Sequence, residues 1–177
     1  MKLHLTALAA VLPLAFAASG AHAAQPITWT GEIGYTHTSL DSDVKADFNT
    51  IDLRGGAQFG KHWGVEMEVG TGLGSDNTSY QGTSFSVKEN YEVGVFAVGY
   101  LPLAKGLDLF GRFGGVGAQF HEEVLGGHGS NNEHGWAAGG GLRWFPGAGK
   151  NGVRLEYTRY GLNDDADNFG VSYVRKF

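Results

Sequence analysis

The chain closes on Asn168-Phe169-Gly170-Val171-Ser172-Tyr173-Val174-Arg175-Lys176-Phe177. Phe169, Val171, Tyr173 and Phe177 fall on one face of a period-2 pattern; Asn168, Gly170, Ser172 and Lys176 fall on the other. A two-faced strand left exposed at a terminus is an unpaired edge that invites aggregation. A closed barrel removes that edge by pairing the last strand with the first. The chain is therefore expected to be all-β, with its two ends adjacent.

The opposite end reads as a secretory signal over Met1 to Ala23. Lys2 supplies the positive start, Leu5 to Ala18 an apolar run, and Ala21-His22-Ala23 a small-x-small cleavage site. The apolar run is short for a spanning helix, although an uncleaved anchor is the alternative. Cleavage predicts a single barrel domain over residues 24–177. Loss of Lys2 takes the formal charge from −5 to −6, which argues against a nucleic-acid partner. There is no cysteine, hence no disulfide framework. Glycine is 30 of 177 residues against a usual share of about 7%, as in tightly curved sheets. After the signal no apolar run approaches the ~20 residues of a membrane helix, which excludes a helical membrane protein.

Alternation recurs in eight runs. Ile27 to Ser39 sets Ile27, Trp29, Ile33 and Tyr35 against Thr28, Thr30, Glu32, Thr36 and Thr38. Asn49 to Phe59 sets Ile51, Leu53, Ala57 and Phe59 against Thr50, Asp52, Arg54 and Gln58. Trp63 to Leu73 opposes Val65, Met67 and Val69 to Glu66 and Glu68. Phe85 to Leu101 opposes Tyr91, Val93 and Val95 to Lys88 and Glu92. Trp136 to Phe145 isolates Arg143 among apolar residues, Gly152 to Tyr160 alternates Val153, Leu155 and Tyr157 with Arg154, Glu156 and Thr158, and the terminal stretch completes the set. Leu107 to Phe120 is less regular. Leu107, Leu109 and Phe113 oppose Asp108 and Arg112, but Phe110, Val116 and Phe120 share the polar face, so a bulge is expected to shift the facing there.

An even strand number, about 10 residues per strand, and connections alternating long and short predict an eight-stranded antiparallel up-and-down transmembrane β-barrel. The short connections are residues 60–62, 102–106 and 146–151. Leu40 to Phe48, Gly74 to Ser84, His121 to Gly135 and Gly161 to Asp167 are expected to be long loops. Trp29, Tyr35, Phe59, Trp63, Phe85, Tyr100, Trp136, Trp144 and Phe177 lie near strand ends, as two interfacial girdles would.

Arg154-Leu155-Glu156-Tyr157-Thr158-Arg159-Tyr160, Phe169-Gly170-Val171-Ser172-Tyr173 and Leu109-Phe110-Gly111-Arg112-Phe113-Gly114 resemble the seventh, eighth and fifth strands of OmpA-like small outer-membrane barrels. The resemblance implies an outer-membrane location, contact with membrane lipid and lipopolysaccharide, and a terminal strand read by the barrel-assembly machinery. Gly170, Val171, Tyr173 and Phe177 match that assembly signal. Arg175 departs from it, where such barrels carry an apolar or aromatic residue.

The face opposite the apolar one is dense in charge: Glu32, Asp52, Glu66, Glu68, Glu92, Asp108 and Glu156 with Arg54, Lys88, Arg112, Arg143 and Arg154. In a barrel of this size side chains just fill the interior, so these groups are expected to pair across it. A packed polar core is one reading of that network and a narrow gated ion path the other. The long connections are acidic, with Asp41, Asp43, Asp47, Asp76, Glu122, Glu123, Glu133, Asp164, Asp165 and Asp167, which suits hard divalent cations shared with lipopolysaccharide phosphates. His121, His128 and His134 with the neighbouring glutamates are too loosely spaced for a transition-metal site. Small barrels that modify lipid A use Ser, His and an acid, but the seventh strand reads Glu156-Tyr157-Thr158-Arg159 with neither Ser nor His. His128-Gly129-Ser130-Asn131 has suitable letters but falls in an expected loop. A non-enzymatic envelope or surface role without cofactor is the expectation.

Overall fold

A computed structural model describes residues 26–41, 47–73, 76–80, 83–124, 127–161 and 165–177. The expected signal segment and the cleavage point lie outside the described residues. Nine strands follow in order: β1 (Ile27–Asp41), β2 (Asp47–Phe59), β3 (Trp63–Gly72), β4 (Asp76–Tyr80), β5 (Thr83–Ala104), β6 (Leu107–Val124), β7 (Gly127–Trp144), β8 (Asn151–Gly161) and β9 (Asp165–Lys176). All pairings are antiparallel, and β3 pairs with β5 to close the ring. β3 and β4 occupy one stave, because β5 pairs first with Trp63 to Gly70 and, higher up, with Asp76 to Tyr80. The result is a closed eight-stave barrel.

The terminal strand pairs with the first from Thr30↔Lys176 to Asp41↔Asp165, and the Phe177 N–H donates to the Trp29 carbonyl at 3.0 Å. Pro26 and Phe177 thus lie at one end, with the connections over residues 60–62, 105–106 and 145–150. This turn end is tight. Gly60 and Gly106 adopt φ of 65° and 79°, and a Cβ on Gly106 would stand 2.3 Å from the Phe145 carbonyl.

Alternation sorts the side chains. Trp29, Ile33, Leu53, Val69, Phe113, Leu142, Leu155, Phe169, Val171 and Tyr173 are exposed on the outside. Glu32, Asp52, Arg54, Glu66, Glu68, Arg112, Arg143, Arg154 and Asn168 are buried inside. The largest apolar surface faces outward and the charge inward, the reverse of a soluble barrel.

Three expectations from the sequence need correction. The stretches 74–84 and 121–135 are largely strand, not loop: β4 and β5 form a hairpin there, and β6 and β7 stay in unbroken register up to Val124↔Gly127. Backbone pairing continues above the apolar zone, where neither face needs to be apolar, so the hydrophobic alternation that marks a membrane strand disappears while the strand does not. Next, β6 carries no bulge against β7. The register shifts lie in β5, between Glu89 and Tyr91 and between Pro102 and Ala104. Phe110 and Val116 simply face inward and are buried; the Phe120 side chain lies outside the described residues. Finally, Tyr100 is buried in the interior rather than part of a girdle. Trp29, Tyr35, Trp63, Trp136, Trp144 and Phe177 are exposed and Phe59 is half-buried, while the side chain of Phe85 lies outside the described residues.

Candidate functional site

Among the described residues, the interior concentrates the charged side chains. Position 154 falls on β8 and position 66 on β3, which stand opposite one another across the ring. Arg154 Nη1 donates to Glu66 Oε1 at 2.8 Å and to Glu32 Oε1, from β1, at 3.3 Å. Its Nε donates to Glu156 Oε2 at 2.7 Å, and Nη2 pairs with the same oxygen. Arg54 on β2 donates to Glu68 Oε2 at 2.8 Å and to Glu32 Oε2 at 3.0 Å. Arg112 on β6 reaches Glu68 Oε2 at 2.5 Å and Glu156 Oε1 at 2.7 Å. Three guanidinium groups and four carboxylates from five staves therefore form one connected raft across the barrel.

Aromatic and hydroxyl groups complete it. Arg112 lies over the Phe96 ring at 4.0 Å and Arg154 over Phe110 at 3.9 Å, each cation on an aromatic face. Tyr160 donates to Glu68 Oε1 at 3.2 Å, Tyr100 to Glu66 Oε1 at 2.9 Å, and Arg112 Nε to Thr158 Oγ1 at 3.2 Å. Glycines make the room. A Cβ on Gly94 would meet the Phe96 ring at 2.5 Å, and one on Gly139 would meet Thr158 Oγ1 at 2.3 Å.

Below the raft, toward the turn end, Arg143 donates to Asp108 Oδ2 at 3.0 Å and Gln58 Oε1 at 3.1 Å, and stacks on Tyr100 at 3.8 Å. Phe145 is fully buried at that end, with Lys176 Nζ 3.5 Å from its ring centre. Above the raft Thr36 donates to Asp52. A small polar cavity is left there among Asp52, Glu92, Tyr160 and Asn168, with about 10 Å³ of free space, enough for about one water. Asp52 Oδ1 and Asn168 Oδ1 reach no protein donor in it.

The structure thus brings together ten of the charged residues picked out by alternation: Glu32, Arg54, Glu66, Glu68, Arg112, Glu156 and Arg154 in the raft, Asp108 and Arg143 below it, and Asp52 above it. Glu92 lines the cavity above it. Lys88 is not placed by simple alternation: its backbone pairs with His121 beyond the shift between Glu89 and Tyr91, and its side chain lies outside the described residues. The sequence reading placed Thr158 and Phe110 on the polar face without a role in the network, put Tyr100 in a girdle, and did not place Tyr160, Phe96 or Phe145 in the interior. Parity alone would have found Phe96 and Tyr100, since both are in step with Glu92 on β5.

Val171, Tyr173 and Phe177 of the terminal motif are exposed on the outer face, whereas Gly170 lies beside Thr36 on the inner one. His128 to Asn131 belong to β7, so the expected loop position was wrong, and their side chains lie outside the described residues. Those of His121, Glu122 and Glu123 do too, and among the described residues no group of three potential metal ligands occurs.

A closed antiparallel ring with an apolar exterior is the architecture of an integral membrane β-barrel. The comparisons give the same class. The chain belongs to the family described as outer membrane protein beta-barrel domain, whose family model matches residues 7–177, and it is an outer-membrane protein. Solved structures share the fold. Ail of Yersinia pestis, solved in complex with the heparin analogue sucrose octasulfate, is 18% identical over 86% of this chain and 100% of its own, with a TM-score of 0.66. Neisserial surface protein A is 13% identical over 86% of this chain and 100% of its own, at 0.58. The N-terminal barrel of Pseudomonas aeruginosa OprF is 11% identical over 84% of this chain and 97% of its own, also at 0.58. The chain matches no curated protein.

Proposed function

We propose that this protein is a non-enzymatic, non-conducting outer-membrane barrel that acts in envelope integrity or surface interaction through its acidic, strand-built projections. The observation that carries the reading is the ion-paired raft that crosses the lumen from β8 to β3, with Phe145 below it. A buried ionic network of this density orders the interior, and a path would require its charges to part. The rival reading, a narrow ion channel through the same charges, needs that rearrangement. Catalysis finds no support at His37 or His62: His37 Nδ1 lies 3.0 Å from Asn49 Oδ1, and His62 bonds the Tyr100 carbonyl at 3.1 Å.

In this reading the turn end faces the periplasm and the hairpins β4–β5 and β6–β7 project outward. Ail is solved with a polyanion analogue. Here the projecting end carries Asp41, Asp47, Asp76, Asp165 and Asp167, which disfavours polyanions and favours divalent cations shared with lipopolysaccharide phosphates. Residues 1–23 act as the export signal, residues 24–177 as the barrel domain, and Gly170, Val171, Tyr173 and Phe177 as the motif read by the assembly machinery.

The test is to replace residues 74–84 and 121–134 by short turns in cells lacking the native copy. A folded, trimmed barrel that no longer restores the detergent resistance or surface binding lost with the gene supports the reading. Full restoration by the trimmed barrel refutes it. Chelator treatment should speed amide exchange in β4 and in residues 127–135; unchanged exchange removes the cations from the account.

A further inference from the structure

We infer that the turn end is a docking rim for anionic phospholipid headgroups, with one cation at each of four stations around the barrel and an aromatic belt just above them. This goes beyond the proposed role of the opposite end and does not depend on it.

The placement follows from the strand order. Lys61 sits in the turn joining β2 to β3, Lys105 in the turn joining β5 to β6, and Lys150 in the connection from β7 to β8. The fourth station is where β9 meets β1, and there Arg175 stands on the outer face, paired in register with Gly31 and Asn151. All four side chains are exposed. Lys176, by contrast, is turned inward over Phe145. Among the described residues Asp108 is the one acidic side chain at this end, and it is directed inward to Arg143. The rim therefore presents positive charge with no neighbouring carboxylate side chain to neutralise it.

An aromatic layer lies beside these cations. Trp29, Trp63, Trp144 and Phe177 are among the most exposed large side chains of the molecule. Trp63 is two residues from Lys61, Trp144 pairs in register with Leu107 two residues from Lys105, and the Arg175 guanidinium lies 5.8 Å from the Phe177 ring centre. Indole rings settle at the headgroup level, and long basic side chains extend from there to phosphate while their stems stay on apolar surface. Basic groups just outside the hydrocarbon layer attract anionic lipid. The rim thus fits a phospholipid phosphate carrying net negative charge. It also accounts for Arg175, which stands where the resemblance to small outer-membrane barrels implies an apolar or aromatic residue.

The four tryptophans of the chain give a direct readout, because three of them, Trp29, Trp63 and Trp144, belong to this rim. Trp136→Phe silences the fourth. Refolded into vesicles in which either the phosphatidylglycerol or the phosphatidylcholine is brominated, the Trp136→Phe protein should show about two- to fivefold stronger association with the anionic lipid at low salt. The preference should fall toward unity in high salt and in Lys61→Gln/Lys105→Gln/Lys150→Gln/Arg175→Gln. Equal quenching by the two lipids overturns the proposal, as does a preference that persists in the fourfold variant. Should that variant fail to show the heat-modifiable mobility of a folded barrel, the salt series on the unaltered rim decides: a preference indifferent to salt contradicts the assignment.

Discussion

Arg154 and Glu66 meet at 2.8 Å across the full width of the barrel, from strands that are not paired with one another in the sheet. Both side chains are fully shielded from solvent. The pair is therefore a strut: it fixes the distance between opposite walls, and the other ion pairs of the raft brace it from the sides.

Arg154→Ala should destabilise the barrel by about 3–5 kcal/mol, because it leaves buried Glu66 and Glu32 short of a counter-charge. Arg154→Met combined with Glu66→Met should recover more than half of that loss, since a well-packed apolar pair can replace a buried ionic one. Reversible urea unfolding from lipid vesicles measures both. A double variant as unstable as the single one would show that Arg154 acts through groups other than Glu66.

Glycine on the inner wall is required for space. A Cβ at Gly114 would sit 2.0 Å from the Val95 carbonyl, whereas one at Gly55 meets nothing within 4 Å. Gly114→Ala should cost about 1–3 kcal/mol and Gly55→Ala close to nothing. Unfolding midpoints of the two variants, compared side by side, check the difference.

The outer face should be sensitive to depth. Leu155→Arg, at mid-strand on β8, should destabilise the protein by about 2–4 kcal/mol, and Trp63→Arg, at the turn-end rim, by about 0–1 kcal/mol. Equal costs would mean that the two positions do not lie at the different bilayer depths assigned to them.

The fold was legible because a membrane barrel writes its two solvents into alternate residues. Ile33, Leu53 and Leu155 had to be outside and Glu32, Arg54 and Arg154 inside, and strand order followed from adjacency and closure. The pattern gave out where one of those solvents changed. Above the bilayer both faces meet water, so the strands through residues 121–135 look like loop. Inside, the pattern separates polar from apolar but does not anticipate that an arginine raft wants aromatic platforms. Phe110 was therefore read as a facing error when it carries Arg154, and Tyr100 as a girdle residue when it holds Glu66. Pairing partners across the ring, such as Arg112 with Glu68, depend on depth in the barrel, which spacing along one strand does not encode.

Single-channel recording of the refolded protein in a planar bilayer tests the sealed lumen most directly, with Arg112→Ala and Arg143→Ala recorded beside it. The raft and the buried Phe145 predict a silent bilayer for the unaltered protein once heat-modifiable mobility has shown it to be folded. Steady discrete openings of the unaltered barrel, changed in size by either substitution, would contradict the account and make the same charges an ion path.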